Sequence, residues 1–196
     1  MTTASNQFFS RGFGALAPWI DLVNSGLFDG FGNPTECLDD PLWVRTFLNY
    51  WKLRASFREP EAQKALRALR SLLCRLVEKN SSHGSLGPQD VAELNGWLKV
   101  PVYPALVENQ NGFELSLQSA QKDWRGDLAK VARSFAESLI REPSGRLKIC
   151  RNADCRWVFI DRTKGNVRRW CNDATCGNRD RVRRSRAARR KKSPLQ

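Results

Sequence analysis

Apolar side chains recur every three or four positions in several stretches of the first 145 residues, which is the spacing of amphipathic helices. This spacing predicts helices over residues 40–57, 60–80, 88–98 and 123–141. Asp40 and Pro41 favour a helix start, because aspartate caps free backbone N–H groups and proline suits the first helical turn. Residues 80–87 have the composition of a loop, which would contain His83. We therefore expect the N-terminal region to be mainly helical.

The period of the apolar residues changes from helical to strand-like after Val100. Phe113, Leu115 and Leu117 alternate with polar residues and follow the turn-forming sequence 109–112. Alternation next to such a turn predicts a β-hairpin. Pro104 has no backbone N–H to donate, so the first arm is expected to be an edge strand or an irregular one.

The segment after the Pro-Ser-Gly sequence at 143–145 has the pattern of a second, smaller unit. Residues 157–160 have strand composition, 163–166 form a turn and 167–170 return the chain. Residues 179–192 are compatible with a helix. The expected fold class is α+β, with a mainly helical domain and one hairpin over residues 1–145 and a small unit of hairpin and C-terminal helix over residues 146–196.

The charge of the chain is concentrated at its C-terminal end. The 196 residues include 33 lysines and arginines and 20 aspartates and glutamates, a net charge of +13. Residues 1–145 contain 16 basic and 16 acidic side chains, whereas residues 146–196 contain 17 basic and four acidic ones. A basic C-terminal unit of this kind indicates an anionic partner.

Composition excludes several classes of protein. A hydrophobic content of 41% with seven tryptophans excludes a wholly disordered chain, since it provides enough apolar surface for a core. The first residues lack the pattern of a secretory signal, and no apolar run approaches the roughly 20 residues that span a bilayer, so we expect a soluble cytoplasmic protein. We expect no enzymatic activity, because the single histidine, His83, has no evident acid–base partner. Cys74, expected in a helix core, and Cys37, expected in a polar loop, do not indicate catalysis either.

Four of the six cysteines lie within 27 residues, at Cys150, Cys155, Cys171 and Cys176. They form two pairs, each with four intervening residues, joined by the expected hairpin. Four thiolates brought together in this way complete a tetrahedral Zn2+ site and leave no coordination position open for catalysis. Two disulfides or four core cysteines are the alternatives, which a reducing cytoplasm and the polar neighbours disfavour. We therefore expect a four-cysteine zinc finger with one structural zinc ion.

The second cysteine pair carries a recognisable motif. Residues 171–179 read Cys-Asn-Asp-Ala-Thr-Cys-Gly-Asn-Arg, and the first pair and an Arg169-Trp170 step precede them. This segment resembles the CGNR zinc finger. Upstream, residues 19–24 read Trp-Ile-Asp-Leu-Val-Asn, and with the helical region after them they resemble the ABATE domain of bacterial stress-induced transcription regulators. The resemblance covers nearly the whole chain and implies DNA binding, transcriptional regulation and a sensor role for the N-terminal domain.

The basic C-terminal helix is the second candidate site. Residues 179–192 include nine lysines and arginines and a single acid, Asp180. Like charges at helical spacing repel, so this helix is expected to become stable when phosphates neutralise it. The residues expected to contact nucleic acid are Lys164, Arg168, Arg169, Asn178, Arg179, Arg181, Arg183, Arg184, Arg186 and Arg190. A solvated charge run is the alternative, but attachment to a zinc site would give the helix a fixed direction.

The sequence also allows partners other than DNA. RNA is an alternative to DNA, in which case Trp157 and Trp170 would stack on unpaired bases. A ligand sensor whose basic tail binds a protein or an anionic surface is another. Asp21 and Asn24 lie on one helical face of an apolar segment, and they either contact a small-molecule effector or cap and bridge a helix. Half-site reading would require a homodimer, and DNA binding would place the protein at the nucleoid.

Overall fold

The computed structural model describes residues 17–28, 32–53, 57, 59–110 and 112–192. Its N-terminal helices are α1 (Pro18–Asn24), α2 (Pro41–Tyr50), α3 (Pro60–His83) and α4 (Pro88–Trp97). A hairpin of β1 (Val102–Asn109) and β2 (Gly112–Ser119) leads to α5 (Trp124–Arg141). The C-terminal part contains β3 (Leu147–Ile149), β4 (Val158–Ile160) and α6 (Asn178–Lys192). This order confirms the α+β class, with a mainly helical N-terminal region.

Helices α1 to α4 each begin with a proline, at positions 18, 41, 60 and 88. The fixed φ of proline suits the first helical turn, where its missing N–H would have no partner within the helix. At α2 the Asp40 carboxylate accepts hydrogen bonds from the N–H groups of Leu42 and Trp43, at 2.8 and 3.4 Å. The predicted cap is therefore confirmed.

Helix α2 ends at Tyr50, so the prediction of a helix that continues to Phe57 is wrong. Lys52 has a φ of 54°, in the left-handed region. The Leu53 N–H then donates to the Leu48 carbonyl at 2.8 Å. These are features of a Schellman end, which usually contains glycine at the left-handed position. Because lysine occupies that position here, the sequence contains no stop pattern.

Helix α3 is longer than predicted. It continues past Asn80 to His83, so the loop expected from residue 80 begins later. Gly84, with a φ of 73°, ends the helix, and its N–H donates to the Asn80 carbonyl at 2.8 Å. The polar residues before Gly84 therefore form the last helical turn.

Helix α1 lies at the centre of the hydrophobic core. All of its residues from 19 to 24 are buried, and it packs against α3, α5 and β4. The Trp19 ring contacts Phe135 edge to face, with ring centroids 5.0 Å apart. The Trp19 Nε1 donates to the Ser138 hydroxyl at 2.8 Å, so the indole is both packed and hydrogen-bonded on α5.

The two short C-terminal strands share this core with the helices. Strands β3 and β4 pair antiparallel, and Leu147, Val158 and Ile160 belong to the same buried cluster as the residues of α1 and α3. The prediction of a hairpin between residues 157–160 and 167–170 is wrong, because β4 pairs with the strand before it in the chain and residues 167–170 form no strand. The Gly32 N–H also donates to the Asp154 carbonyl, at 3.3 Å. Packing and backbone hydrogen bonds therefore join the C-terminal part to the helical region.

The predicted hairpin is confirmed, with Leu106 opposite Leu115 and Pro104 opposite Leu117. Proline is tolerated because β1 and β2 form a two-stranded sheet, in which each strand has an open edge. Leu106, Phe113 and Leu115 are 66, 73 and 75% exposed. These three apolar side chains therefore face solvent, whereas Leu117 is half-buried.

Candidate metal centre and basic helix

The first cysteine pair lies on a tight turn between β3 and β4. The Cys150 N–H donates to the Trp157 carbonyl at 2.8 Å, which continues the pairing of the strands to the first cysteine. The Asn152 carbonyl accepts hydrogen bonds from the N–H groups of Cys155 and Arg156, at 2.9 and 3.1 Å. Arg156 has a φ of 57° and reverses the chain into β4. The backbone thus fixes both cysteines before any metal is considered.

The second cysteine pair leads directly into the basic helix. The Asn172 carbonyl accepts from the N–H groups of Cys176 and Gly177, at 3.0 and 3.2 Å, and closes a π-helical turn over Asp173–Gly177. A Cβ at Gly177 would lie 2.3 Å from the Asp173 Oδ1 and 3.3 Å from the Trp170 ring, so it would displace the Asp173 carboxylate and press on the indole. Helix α6 begins at the next residue, and a metal bound to Cys176 therefore fixes the start of that helix.

The four sulfur atoms have the arrangement of a zinc centre. They all lie within 4.8 Å of one another, with 3.6 Å between Cys155 and Cys171 and 3.8 Å between Cys171 and Cys176. A tetrahedral ion with Zn–S bonds of about 2.3 Å places its ligands about 3.8 Å apart. Four thiolates complete the coordination shell, so the ion is structural. The prediction of one structural zinc ion held by Cys150, Cys155, Cys171 and Cys176 is confirmed.

The thiols of this cluster change one another's pKa through hydrogen bonds. Cys150 is the main cause of a lowered pKa at Cys155, to about 7, and of a pKa far below the ordinary range at Cys176. The pKa values of Cys150 and Cys171 are raised by the same hydrogen bonds. Metals bind the thiolate form, so metal binding would displace the remaining thiol protons of the cluster.

The two remaining cysteines are core residues. Cys37 is 2% exposed in a 3-10 turn, so the expectation of a polar loop is wrong, and burial raises its pKa to about 12. Burial also raises the pKa of Cys74, to about 11. Neither belongs to the metal cluster, and all six cysteines are free of disulfides.

Helix α6 projects from the zinc centre without a buried face. Residues 181–189 are all exposed, and the helix packs on the turn that contains Cys176. Asp173 pairs with Arg181 at 3.2 Å. Asp180 pairs with Arg183 at 2.8 Å and with Arg184 at 3.0 Å. The first two turns of the helix therefore carry partly compensated charge.

The outer half of α6 carries uncompensated charge. Arg186 and Arg189 are exposed and form no ion pair with the residues that the structure describes. The Arg190 side chain, predicted to contact nucleic acid, lies outside the described part. At the start of the helix, Asn178 is exposed and Arg179 is half-buried. Among the described side chains of α6, the unpaired positive charge thus lies at the residues farther from the metal.

The loop between β4 and the second cysteine pair supplies three more exposed cations, of which Arg162 pairs with Glu142 at 3.0 Å and Lys164 and Arg169 form no ion pair with a described residue. Arg168 is different. Its guanidinium donates to the carbonyls of Trp170 and Cys171 and lies over the Phe159 ring, 4.9 Å from the centroid. The structure therefore gives Arg168 an internal role beside a metal ligand.

The two tryptophans considered for base stacking are engaged within the protein. The Trp157 Nε1 donates to the Phe28 carbonyl at 3.0 Å, and its ring packs against the main core. Trp170 packs against the cysteine cluster, with its indole nitrogen buried. Both side chains are half-buried, so a base could stack only on the part of each ring that is open to solvent.

Asp21 and Asn24, the candidates for effector contact, are 2% and 3% exposed. The Asp21 carboxylate accepts from the Trp51 Nε1 at 2.8 Å. The Asn24 carboxamide accepts from the Val158 N–H at 2.8 Å and donates to the Val158 carbonyl at 3.1 Å. These internal bonds account for both polar side chains and agree with the bridging alternative.

Sequence reasoning missed Asp161 and Lys148. Asp161 is fully buried within the zinc finger, and Lys148 donates to it at 2.7 Å. Hydrogen bonds lower the pKa of Asp161 well below its usual range despite the opposing effect of burial. A usable pattern was present, because an aspartate two residues before Thr163 often caps a turn by accepting from that residue.

In the described ranges, no helix has both the length and the apolar composition to cross a bilayer. The fold and the cysteine cluster define a zinc-finger protein in which an arginine-rich helix begins two residues after the last metal ligand. Residues 146–190 match the family model for the CGNR zinc finger, and residues 16–143 match the ABATE model, described as "Putative stress-induced transcription regulator". The chain belongs to this family of ABATE-domain regulators with a CGNR zinc finger. Neither description names an enzyme. A search of curated proteins finds no match.

Proposed function

We propose that this protein is a transcription regulator that binds duplex DNA through α6, and that the zinc ion sets the direction of this helix. The proposal depends mainly on the state of α6, which is exposed throughout residues 181–189 and rich in arginine. An isolated helix of this length is marginal in water, and repulsion between like charges weakens it further. Phosphate groups would remove that repulsion, so binding to DNA would stabilise this helix.

Arginine is suited to this role because its guanidinium binds phosphate or guanine with two parallel hydrogen bonds. In the proposed complex, the contacts come from Asn178, Arg179, Arg181, Arg183, Arg184, Arg186 and Arg190, with Lys164 and Arg169 on the neighbouring loop. Residues 146–196 act as the DNA-binding domain and residues 1–145 as the regulatory domain.

The test is the affinity of the zinc-loaded chain for a labelled duplex, measured by fluorescence anisotropy over a series of salt concentrations. The double variant Arg186→Gln with Arg189→Gln should bind more weakly, with a salt slope lower by about 1.8, since each phosphate contact contributes about 0.9. Lys99→Gln with Lys122→Gln is the matched control, because both side chains are exposed and the formal charge changes equally. Equal affinity of the two double variants would contradict the proposal. Single-stranded RNA of the same length, bound more tightly than the duplex at matched salt, would also contradict it.

The sensor role of the N-terminal domain requires a ligand site other than Asp21 and Asn24. A groove of about 1070 Å³ lies between α2 and the start of α3, with Leu48, Leu53 and Leu66 in its lining and Arg45 at its edge. This composition suits an apolar molecule that carries a negative charge. Anilinonaphthalene sulfonate, a probe of that kind, should fluoresce on binding the native chain, and Leu48→Arg should abolish the increase. An unchanged increase would place the probe elsewhere.

A further inference from the structure

A single buried carboxylate organises the loop of residues 161–168, which joins β4 to the second cysteine pair. Asp161 has no exposed surface. It accepts hydrogen bonds from the Lys148 Nζ at 2.7 Å, the Thr163 N–H at 3.0 Å and the Thr163 hydroxyl at 2.6 Å. It also accepts from the Arg168 N–H at 2.8 Å. One side chain therefore holds the two ends of the loop together.

The loop also wraps around two cations from the neighbouring strand region. Arg146 and Lys148 donate to four backbone carbonyls of the loop, those of Asp161, Thr163, Asn166 and Arg168. Because the carbonyls bind these cations, the negative ends of the peptide groups are turned towards the protein. The inner surface of the loop is thus filled by a fixed network of charge and hydrogen bonds.

The outer surface of the same loop region carries positive charge. Lys164 is exposed at the turn, and Arg169 is exposed at the point where the chain returns to the metal. Neither forms an ion pair with another residue of the described chain. Arg169 is also linked to the first cysteine turn, because its carbonyl accepts from the Arg151 N–H at 2.9 Å. The loop and the residue directly after it therefore present two cations, Lys164 and Arg169, on a backbone that is fixed relative to the zinc centre.

We propose that Asp161 is a positioning residue for DNA binding, and that it holds Lys164 and Arg169 where they contact backbone phosphates beside the site of α6. This role rests on the proposed function. A loop that is already ordered loses less entropy when it binds, so its contacts contribute more to affinity. Phosphate contacts of this kind fix the orientation of a protein on the duplex. The orienting contacts would then come from the loop, while α6 supplies the larger charged surface.

Charge alone predicts the opposite effect for a change at Asp161. Removing a negative charge from a DNA-binding protein should strengthen its affinity for DNA. Positioning predicts a weaker affinity, because Lys164 and Arg169 would lose their fixed placement. Asp154 is a matched control, since it is an exposed carboxylate of the same finger and forms no ion pair with a described residue. The sign of the change in affinity therefore separates the two explanations.

The experiment measures duplex affinity and zinc content for the zinc-loaded full chain and for Asp161→Asn and Asp154→Asn. With full zinc content, Asp161→Asn should bind DNA about tenfold more weakly, with a salt slope lower by about 1.8 for two lost phosphate contacts. Asp154→Asn should bind as tightly as the unaltered chain or more tightly. The double variant Asp161→Asn with Lys164→Gln should be no weaker than Asp161→Asn alone, because that contact is already lost.

Equal or tighter binding by Asp161→Asn with full zinc content would overturn the positioning role. If Asp161→Asn fails to hold zinc, Thr163→Val decides the question, because it removes one hydrogen bond to Asp161 and keeps the net charge. Thr163→Val should then weaken duplex binding with full zinc content, and unchanged binding would overturn the role. An unaltered chain without affinity for duplex DNA would overturn the proposed function itself, and this role with it.

Discussion

Replacement of Asn24 by alanine should destabilise the whole folded chain. The Asn24 carboxamide forms two hydrogen bonds with the backbone of Val158, at 2.8 and 3.1 Å, and both residues are buried. The Asn24 side chain forms these bonds at the open edge of β4, where a third strand would otherwise pair. Asn24→Ala leaves one buried N–H and one buried carbonyl unpaired, at about 1–3 kcal/mol each, so the free energy of unfolding should fall by about 2–6 kcal/mol.

The assay is urea unfolding of the zinc-loaded chain, followed by tryptophan fluorescence. With a denaturant slope of about 2 kcal/mol per molar, the midpoint for Asn24→Ala should fall by about 1–3 M. Asn95→Ala is the control, because Asn95 is exposed on α4, and its effect should stay within about 0.5 kcal/mol. Equal midpoints for the two variants would refute the bridging role of Asn24.

The same experiment tests whether the two parts of the chain unfold together. Helix content, measured by circular dichroism, and zinc release, measured with a metal-sensitive dye, should change over one range of urea concentration, since β3 and β4 share the core of the helices. Zinc release well before the loss of helix content would show that the zinc finger unfolds independently.

Three further predictions concern single positions. Gly177→Ala should weaken zinc retention against a competing chelator, since the added Cβ would lie 2.3 Å from the Asp173 carboxylate, and retention equal to that of the unaltered chain would contradict this contact. Cys37, which is buried, and Cys74, which is half-buried, should resist iodoacetamide at pH 8, because pKa values raised to about 12 and 11 keep both as unreactive thiols; rapid alkylation in the native state, detected by mass spectrometry, would contradict the raised pKa values. Leu115→Lys should change the free energy of unfolding by no more than about 0.5 kcal/mol, because this side chain is 75% exposed, and a larger loss would mean that the hairpin face is covered.

The parts of the structure that follow from local sequence were predictable. The cysteine spacing defines the metal centre because each pair lies on one short turn, and only the meeting of the two turns is non-local. The Asp40 cap and the prolines mark helix starts for the same reason. The confirmed zinc ligands are thus the clearest case of local information.

The ends of α2 and α3 were predicted less well than their starts, because the residues at these ends do not clearly indicate where a helix stops. Lys52 adopts a left-handed conformation that the sequence does not mark, and α2 therefore ends seven residues before the predicted position. At α3 the stop residue, Gly84, was visible, but polar residues before it resembled a loop. Polarity at the end of an exposed helix does not by itself indicate a loop.

The roles of Asn24 and Asp161 depended on tertiary structure. Asn24 binds a backbone 134 residues away, a pairing that no local pattern predicts. Asp161 and Lys148 meet only because β3 and β4 pair, with Lys148 opposite Phe159. A polar residue in an apolar segment indicated that it would have a partner, but the partner's identity required the fold.

In the proposed function, the zinc ion orders a helix that binds duplex DNA. The most direct measurement is the affinity of the full chain for a duplex before chelation, after chelation and after zinc is restored, at one fixed salt concentration. We expect the zinc-loaded chain to bind the duplex strongly, to lose affinity on chelation and to recover it when zinc is restored. An affinity that stays the same in all three states would contradict it.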